Sequence, residues 1–357
     1  MKVNTIPGNT PIKNIPSDYF PEGRGFWLEL SKGMDKSKKL FYSDFIIGEG
    51  DPIATLVFVH GNPENSYTYR KVIKNLREIA KKTIRCITFD HIGFGLSDQA
   101  THQMFCMDHS ENLLQLIEHL DLKKVTLIVH DWGGPIGIGA FLKKPQLVSN
   151  LIVLNSTVFP IPKTGITFQN YPTKYWNWAK GPKIIPNSLW GEYSATAIFL
   201  KPSKPFNIYW KALLLILSKK LKFYGIKEKT AKKLFIKQFE PIMNTLSSKR
   251  LVLQTPVWAH GNIYHDKELG VRDTTQFYKE IQDNIKKKWG PDGQNIGVRA
   301  LFGSWDPLAK DEVLNQWIEN LPQLKENIQK FSNVGHFIEE IKPKEIAEAI
   351  SNLINLS

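Results

Sequence analysis

The residues Val129-His130-Asp131-Trp132-Gly133-Gly134 join a predicted buried strand to a predicted helix, and this junction is the most informative motif in the sequence. A nucleophile elbow is a sharp turn at such a junction, with small residues around the side chain that it lifts above the sheet. The usual elbow reads Gly-x-Ser-x-Gly, whereas this one has Asp131 in the serine position and Val129 in the first glycine position. The pattern predicts a carboxylate nucleophile at Asp131, and the alternative is that Asp131 only caps the following helix.

Apolar strands alternate with amphipathic helices on both sides of this stretch. The predicted strands are 53–59, 84–89, 125–129, 151–154, 298–302 and 327–331. The predicted helices are 69–81, 108–120, 133–144, 311–320 and 343–354. Short, nearly continuous apolar strands between helices are typical of a parallel sheet that is buried on both faces. The order therefore predicts an α/β protein with a mostly parallel, doubly wound sheet.

The alternation stops between residues 157 and 250, a segment rich in Trp, Tyr, Pro and Lys with long helical stretches. We expect residues 157–250 to be a mainly helical cap, inserted over the carboxyl edge of the sheet, where ligands bind in such folds. Residues 45–156 and 251–357 then form the core that contains the sheet. Residues 1–44 contain several prolines and show no clear period, so they are predicted to be an N-terminal extension packed on the core surface.

The net charge of +13 is concentrated in the predicted cap, where residues 157–250 carry 17 Lys and Arg but only 3 acidic residues. Since the excess is confined to an insert and no zinc-finger or RNA-recognition signature occurs, we expect no nucleic-acid partner. The segment Asn207–Phe223 combines a broad apolar face with four lysines. Such a helix either covers the pocket or lies weakly on an anionic membrane surface.

Cysteine usage and apolar runs indicate the compartment. Cys86 and Cys106 are the only cysteines, too few for a disulfide framework in 357 residues, which favours a reducing cytoplasm. The N-terminus lacks the apolar core of a secretory signal, and no apolar run reaches the roughly 18 residues of a membrane span. We therefore expect a cytoplasmic protein that is at most peripheral to a membrane.

Two further motifs follow predicted strands and so lie at the same edge of the sheet as the elbow. His60-Gly61-Asn62-Pro63 follows the first strand, and the backbone amides of Asn62 and Trp132 are predicted to bind an oxyanion. An ordinary turn is the alternative, since Gly-Asn-Pro is good turn chemistry. Val334-Gly335-His336-Phe337 follows the last strand, where a late histidine is expected to be the general base.

The acid that orients His336 is predicted to be Asp306, in the segment Phe302–Leu308 after the penultimate core strand. Asp311 lies close by in the sequence, but it is better explained as the first turn of the following helix. With Asp131 as nucleophile, the chain order is nucleophile, acid, histidine.

These motifs together resemble the haloalkane dehalogenase family, whose members have the α/β-hydrolase fold with an inserted helical cap. The resemblance covers residues 45–156 and 296–357. It rests on His60-Gly61-Asn62-Pro63 and His130-Asp131-Trp132-Gly133-Gly134, and the loop Asp90–Asp98, which lacks a Walker lysine, is similar too. The resemblance implies that the side chains of Asn62 and Trp132 hold the departing halide. Epoxide hydrolases share the second segment, and the β-lactone decarboxylases of olefin synthesis resemble one dehalogenase subfamily.

The resemblance implies hydrolysis through a covalent alkyl ester on Asp131, with a small apolar organic substrate and water, and with neither metal nor organic cofactor. Cleavage of a carbon–halogen bond is favoured, and an epoxide hydrolase or a β-lactone decarboxylase is the alternative reaction. A ligand-binding receptor on the same fold is the alternative without catalysis. The N-terminal arm, the basic cap and residues 256–295 depart from small dehalogenases, so the substrate and the oligomeric state stay open.

Overall fold

The computed structural model describes residues 2–4, 6–171, 173–175, 177–199, 229–266 and 268–356. Nine strands within these ranges form one sheet, and two more form a small antiparallel hairpin. The strands are β1 Lys2–Asn4, β2 Gly25–Glu29, β3 Lys39–Ile47, β4 Ala54–Val59, β5 Ile84–Phe89, β6 Val125–His130, β7 Val148–Leu154, β8 Ile263–Asp266, β9 Gly270–Asp273, β10 Gly297–Gly303 and β11 Ile328–Phe331. The sheet order is β1-β2-β3-β5-β4-β6-β7-β10-β11, and β8 pairs with β9.

The sheet is antiparallel on its N-terminal side and parallel from β5 onward. The first three pairings along the sheet, β1 with β2, β2 with β3 and β3 with β5, are antiparallel. The other pairings, β5 with β4, β4 with β6, β6 with β7, β7 with β10 and β10 with β11, are parallel. The chain passes from β4 to β5 on one side and later places β6 on the other side of β4. Ligands bind outside the carboxyl ends of the strands at such a reversal, and these ends are Val59 and His130.

Helices lie on both faces of the sheet, because its central strands have no polar side that could face solvent. All six residues of β4 and all six of β6 are buried. The helices are α1 Arg70–Ile79, α2 Cys106–His119, α3 Gly133–Phe141, α4 Gly181–Ile184, α5 Trp190–Phe199, α6 Lys229–Lys237, α7 Ile242–Leu253, α8 Thr275–Trp289, α9 Asp311–Asn320, α10 Ile338–Ile341 and α11 Pro343–Leu353. α1 and α11 pack on one face, and α2, α3 and α8 pack on the other.

Two apolar cores result, one on each face of the sheet. Successive residues of β4 point to opposite faces, so that Val57 and Val59 join one core while Leu56 and Phe58 join the other. Each aliphatic or aromatic side chain buried in this way contributes about 1.5–3 kcal/mol to folding. The sheet is therefore a rigid platform for the side chains that follow its strands.

The predicted fold class is confirmed, and every strand and helix predicted for the core is present. The N-terminal region differs from the expected surface arm, because β2 and most of β3 lie within residues 1–44 and pair into the sheet. Leu28 and Phe41 on these strands are fully buried. The extension therefore supplies part of the core, while the domain boundaries as such stay a prediction.

The described residues of the predicted cap contain the helices α4 to α7, whereas those between 157 and 177 form turns and loops without a helix. α7 crosses the predicted boundary at residue 250. The predicted amphipathic helix Asn207–Phe223 lies outside the described residues, so both interpretations of it stay predictions. Within the described ranges, no helix is long and apolar enough to cross a membrane.

Candidate active site

Asp131 lies on a sharp turn between the end of β6 at His130 and the start of α3 at Gly133. Its backbone φ is +51°, in the left-handed region, which costs a non-glycine residue about 1–3 kcal/mol. The hydroxyl of Ser156 donates to the carbonyl oxygen of Asp131 at 2.6 Å and stabilises this conformation. The sharp turn that the sequence predicts is present, and it raises the carboxylate above the sheet.

Two glycines let the oxyanion segment and the elbow approach each other closely. A Cβ atom on Gly61 would lie 2.4 Å from Cβ of Asp131, and one on Gly133 would lie 2.3 Å from the carbonyl oxygen of Val59. Real Cβ atoms essentially never come this close to another heavy atom. Because Gly61 and Gly133 have no side chains, the segment after β4 and the segment after β6 can pack directly against each other.

Each oxygen of the Asp131 carboxylate has a polar partner among the described residues. Oδ1 accepts a hydrogen bond from the backbone amide of Asn62 at 2.8 Å. Oδ2 lies 3.0 Å from Nε2 of His336. The first turn of α3 has no side-chain cap, so the structure does not support the alternative that Asp131 only caps this helix.

The indole of Trp132 is buried and stacks on that of Trp258, with ring centroids 3.7 Å apart. Trp258 donates its indole N–H to the carbonyl oxygen of Thr157 at 2.9 Å. The indole N–H of Trp132 has no such acceptor among the described residues, and Trp132 borders the cavity above Asp131. In the same ranges, the backbone amide of Asn62 contacts the Asp131 carboxylate and that of Trp132 does not.

His336 lies between two carboxylates. Its Nδ1 faces Oδ2 of Asp306, and its Nε2 faces Oδ2 of Asp131. Burial lowers the pKa of the imidazole, but the charge of Asp306 and the hydrogen bond to Asp131 outweigh burial and hold the pKa well above its usual range. The two carboxylates together therefore stabilise the protonated form of the imidazole.

Asp306 contacts His336 from a buried position, and its second oxygen accepts from the backbone amide of Leu308 at 2.6 Å. Asp311 instead lies at the start of α9 with its side chain 83% exposed, and its carboxylate is 3.0 Å from Nζ of Lys330. The structure thus brings Asp306 to the imidazole and leaves Asp311 at the surface.

Asn155, directly after β7, ties the loop of His336 to the sheet. Its Nδ2 donates to the carbonyl oxygen of Gly335 at 2.9 Å and to that of His336 at 2.5 Å. Its Oδ1 accepts from the backbone amide of Gly303 at 2.8 Å. Because these partners are backbone groups, the amide fixes the position of the loop and supplies no charge to the imidazole.

A mostly apolar cavity opens above the carboxylate of Asp131. Besides the residues already described, it is bordered by Pro63, Phe168, Trp178, Trp190, Tyr193, Ser194, Val252, Thr255 and Phe337. Several of these side chains come from α5 and α7, so the cap closes the site from above. An apolar lining around a few polar groups suits a small organic ligand.

A buried cluster of one histidine and two glutamates lies behind His336, and no sequence motif indicated it. Nδ1 of His130 is 2.7 Å from Oε2 of Glu64, and its Nε2 is 2.9 Å from the carbonyl oxygen of His336 and 3.5 Å from Glu339. The three side chains are close enough to hold a metal ion. Both ring nitrogens of His130 already have oxygen partners at hydrogen-bond distance, the Glu64 carboxylate and the carbonyl oxygen of His336. The cluster therefore fits a hydrogen-bond network.

Charge is divided unequally between the two glutamates of this cluster. Burial and the charge of Glu64 raise the pKa of Glu339 well above its usual range. Burial also opposes the charge of Glu64, but His130 outweighs burial and holds the pKa of Glu64 below its usual range. The pKa values of the two carboxyl groups are thus shifted in opposite directions, and the hydroxyl of Thr68 lies between them, 2.9 Å and 3.0 Å from their carboxyl oxygens.

The sequence of the chain is similar to proteins of known activity. Residues 54–182 match the family described as alpha/beta hydrolase fold. A cis-3-alkyl-4-alkyloxetan-2-one decarboxylase from Shewanella oneidensis is 26% identical over 315 residues, which span 86% of this chain and 83% of that protein. A haloalkane dehalogenase 2 from Mycobacterium tuberculosis is 30% identical over 135 residues, which span 38% of this chain and 42% of that protein.

The fold is also that of solved dehalogenase structures. A mutant of the haloalkane dehalogenase DatA from Agrobacterium tumefaciens matches with a TM-score of 0.60 at 16% identity, over 96% of this chain and 100% of that one. At 16% identity, the likeness to the DatA structure shows the fold alone. The sequence similarity to the decarboxylase from Shewanella oneidensis, in contrast, extends over 83% of that protein. The chain therefore has the α/β-hydrolase fold and is a dehalogenase-like hydrolase of that fold.

Proposed function

We propose that this protein cleaves a carbon–halogen bond through a covalent ester on Asp131, as a haloalkane dehalogenase does. The arrangement of the Asp131 carboxylate carries the proposal, because the Asn62 amide anchors Oδ1 while Oδ2 lies beside His336. A carboxylate held in one orientation at an elbow, under an apolar cavity, is suited to attack on a saturated carbon.

In the first step, Oδ2 of Asp131 attacks the carbon in line with the halogen. The carbon–oxygen bond forms as the carbon–halogen bond breaks, and the halide leaves with the bonding electrons. The indole N–H of Trp132 and the carboxamide of Asn62 border the cavity and donate to this anion. The step needs only the carboxylate and the anion donors.

In the second step, His336 accepts a proton from water, and the water oxygen attacks the ester carbonyl. The carbonyl oxygen is the former Oδ1, so the backbone amide of Asn62 already lies where negative charge develops. Collapse of the intermediate expels the alcohol, which takes the first water proton from His336. The second water proton is left on the Asp131 carboxyl group and passes to Nε2 of His336, so that the carboxylate and the imidazolium are both restored.

Alkylation of Asp131 also prepares the base. One of the two carboxylates that raise the pKa of His336 becomes a neutral ester, so that only the charge of Asp306 remains beside the imidazole. The pKa of His336 therefore falls after the first step and its proton passes to solvent. The neutral imidazole that the second step needs is thus a consequence of the first step.

A β-lactone decarboxylase is the second candidate, because the relative that matches most of the chain carries that name. Loss of CO₂ from an oxetan-2-one leaves an alkene, whereas dehalogenation leaves an alcohol and a halide. Epoxide hydrolysis is less favoured, since it requires a proton donor for the ring oxygen. Burial raises the pKa of Tyr193, a cap tyrosine that borders the cavity, and so weakens it as a donor.

A parallel panel of a bromoalkane, an epoxide and a cis-dialkyl β-lactone tests the proposed function. We expect continuous bromide release from the bromoalkane by the wild type and none by the Asp131→Ala variant. Alkene from the lactone alone would support the second candidate, and diol from the epoxide alone would support epoxide hydrolysis. A wild type that forms none of the three products would contradict the proposed carbon–halogen cleavage and both alternative reactions.

Steady-state turnover is expected to fall as the pH is lowered, while the first burst of bromide persists. A protonated His336 cannot accept a proton from water, but attack by Asp131 does not require that transfer. Ester hydrolysis depends on His336 in the alkylated enzyme, where the charge of Asp306 still raises its pKa and that of Asp131 no longer does, so turnover is lost as the pH falls through the pKa of this form. Rapid-quench measurements from about pH 5 to pH 9 compare the two rates. A burst that falls in parallel with the steady-state rate would contradict this order of steps.

A cytoplasmic location and a weak contact of the basic cap with an anionic membrane also stay proposals. The described part of the cap exposes Tyr175, Ile184 and Leu189 in a segment with lysines and no acidic residue. Flotation with anionic liposomes at low and high salt tests the contact, because salt screens such an attraction.

A further inference from the structure

Two residues of the cap hold the carboxamide of Asn62. Oγ of Ser248, on α7, lies 2.6 Å from Oδ1 of Asn62, and the carbonyl oxygen of Ser248 lies 3.3 Å from Nδ2. Nε1 of Trp190, the first residue of α5, lies 2.9 Å from Oγ of Ser248. All three residues are buried, with exposed fractions of 5% for Asn62, 0% for Ser248 and 1% for Trp190. Little solvent therefore competes for these hydrogen bonds.

The chemistry of the three groups fixes the direction of each hydrogen bond. An indole N–H can only donate, so Oγ of Ser248 accepts from Trp190. The single hydroxyl hydrogen of Ser248 is then directed to Oδ1 of Asn62, and Nδ2 faces the carbonyl oxygen. A carboxamide turned over by 180° would place Oδ1 against that carbonyl oxygen, so the hydrogen bond there would be replaced by repulsion between two oxygens, although Oγ of Ser248 could still accept from Nδ2.

This orientation leaves one amide hydrogen of Asn62 for a ligand. Nδ2 carries two hydrogens, and within the described ranges Ser248 accepts one of them. Asn62 borders the cavity together with Asp131 and Trp132. A reversed carboxamide would present an oxygen lone pair to a leaving anion and repel it.

We infer that Ser248 is a positioning residue for Asn62. Trp190 donates a hydrogen bond to Ser248, and Ser248 orients the carboxamide of Asn62 so that an amide hydrogen, and not the oxygen, points toward the leaving anion. The inference rests on the proposed function, because it assumes that Asn62 binds this anion. It also makes anion binding depend on the cap, since α5 and α7 must be seated on the core before the carboxamide is fixed.

Bromide alone serves as the probe, and its binding is measured by saturable quenching of tryptophan fluorescence at constant ionic strength. Ser248→Ala is expected to raise the dissociation constant of bromide about tenfold, as expected for losing a buried hydrogen-bond pair. The burst rate with a bromoalkane should fall by a similar factor, whereas hydrolysis of the preformed ester should not change. Ser248→Thr, which keeps the hydroxyl, should bind bromide nearly as the wild type does.

Ser247→Ala is the matched control on the same helix. Ser247 is also fully buried, but its hydroxyl oxygen accepts from the backbone amide of Met104 at 3.1 Å and does not border the cavity. This variant loses one buried hydrogen bond of α7, so it reports any general loosening of the cap. Its bromide affinity is expected to equal that of the wild type.

A double-mutant cycle with Asn62→Leu separates positioning from a direct effect. If Ser248 acts through Asn62, adding Ser248→Ala to Asn62→Leu should weaken bromide binding no further. An equal loss in both backgrounds, or no loss in Ser248→Ala, would show the inference to be wrong. If Ser248→Ala fails to fold, Trp190→Phe replaces it, because this variant removes the hydrogen bond from the indole to Oγ of Ser248. Trp190→Phe must then weaken bromide binding in the wild-type background and leave the bromide affinity of Asn62→Leu unchanged.

The proposed function is judged separately, by a covalent adduct on Asp131. A wild type that binds no bromide overturns the inference about Ser248, whereas an adduct formed by such a protein would still support ester chemistry. The wild type could also bind bromide tightly, lose this affinity in Ser248→Ala, and yet form no adduct on Asp131. This result would support the positioning role of Ser248 and contradict the proposed cleavage through an ester.

Discussion

The His336→Phe variant is expected to stop after the first chemical step and to retain the substrate as an ester on Asp131. Displacement requires the carboxylate and the anion donors, whereas hydrolysis of the ester requires a base. With a bromoalkane, the variant should release about one bromide per enzyme, since a second turnover needs a free carboxylate. Mass spectrometry should find one added alkyl group on the peptide that contains Asp131, while the wild type releases bromide continuously.

The anchor of the nucleophile survives in this variant, because the backbone amide of Asn62 still holds Oδ1 of Asp131. Asp131→Ala is the control, since it can form no ester at this position. With an epoxide, the adduct would instead carry the whole epoxide mass and nothing would be released. Absence of an adduct with the bromoalkane, the epoxide and the β-lactone would rule out the covalent mechanism.

Asp306→Asn is expected to lower the turnover number by about 10⁴-fold, by analogy with serine triads that lose their orienting acid. The amide is nearly the same shape as the carboxylate but removes a charge that raises the pKa of His336. An amide N–H facing Nδ1 would also favour the tautomer with its hydrogen on Nε2, which cannot accept a proton from water. Steady-state bromide release measures the loss.

Asp311→Asn is the matched comparison for this prediction. Asp311 is exposed and pairs with Lys330, and an exposed ion pair of this kind contributes about 0–1 kcal/mol. Its replacement should therefore leave turnover near that of the wild type. If Asp306→Asn instead keeps its activity and Asp311→Asn loses it, the acid that orients His336 is Asp311 and not Asp306.

The elbow and the parallel strands could be predicted from the sequence because their signals are local. A strand that is buried on both faces must be apolar along its whole length, as β4 and β6 are. The turn at Asp131 required small residues close to it, and Gly133 stands two positions after it in the sequence. Residues that follow neighbouring parallel strands meet at one edge, which is why His60-Gly61-Asn62-Pro63 could be assigned to the same site.

Other features depend on partners that are remote along the chain. β3 is recognisable as a strand of the sheet only through its pairing with β5, and the prolines around β2 concealed both strands. Ser248 contacts Asn62 across 186 positions, and a serine in a helix carries no sign of such a contact. Glu64 and Glu339 are likewise ordinary charged residues in the sequence. Both are buried in the fold, where His130 lowers the pKa of Glu64 while burial and the charge of Glu64 raise the pKa of Glu339.

β7 and β10 are neighbours in the sheet, yet the whole chain from residue 155 to residue 296 lies between them. Such a pairing forms late, because closing a long loop loses chain entropy before any contact compensates for it. During synthesis, β7 exposes an unpaired apolar edge for on the order of ten seconds until β10 emerges from the ribosome. An edge of this kind readily pairs with other chains. The newly made protein is therefore expected to need chaperones, however stable the folded molecule is.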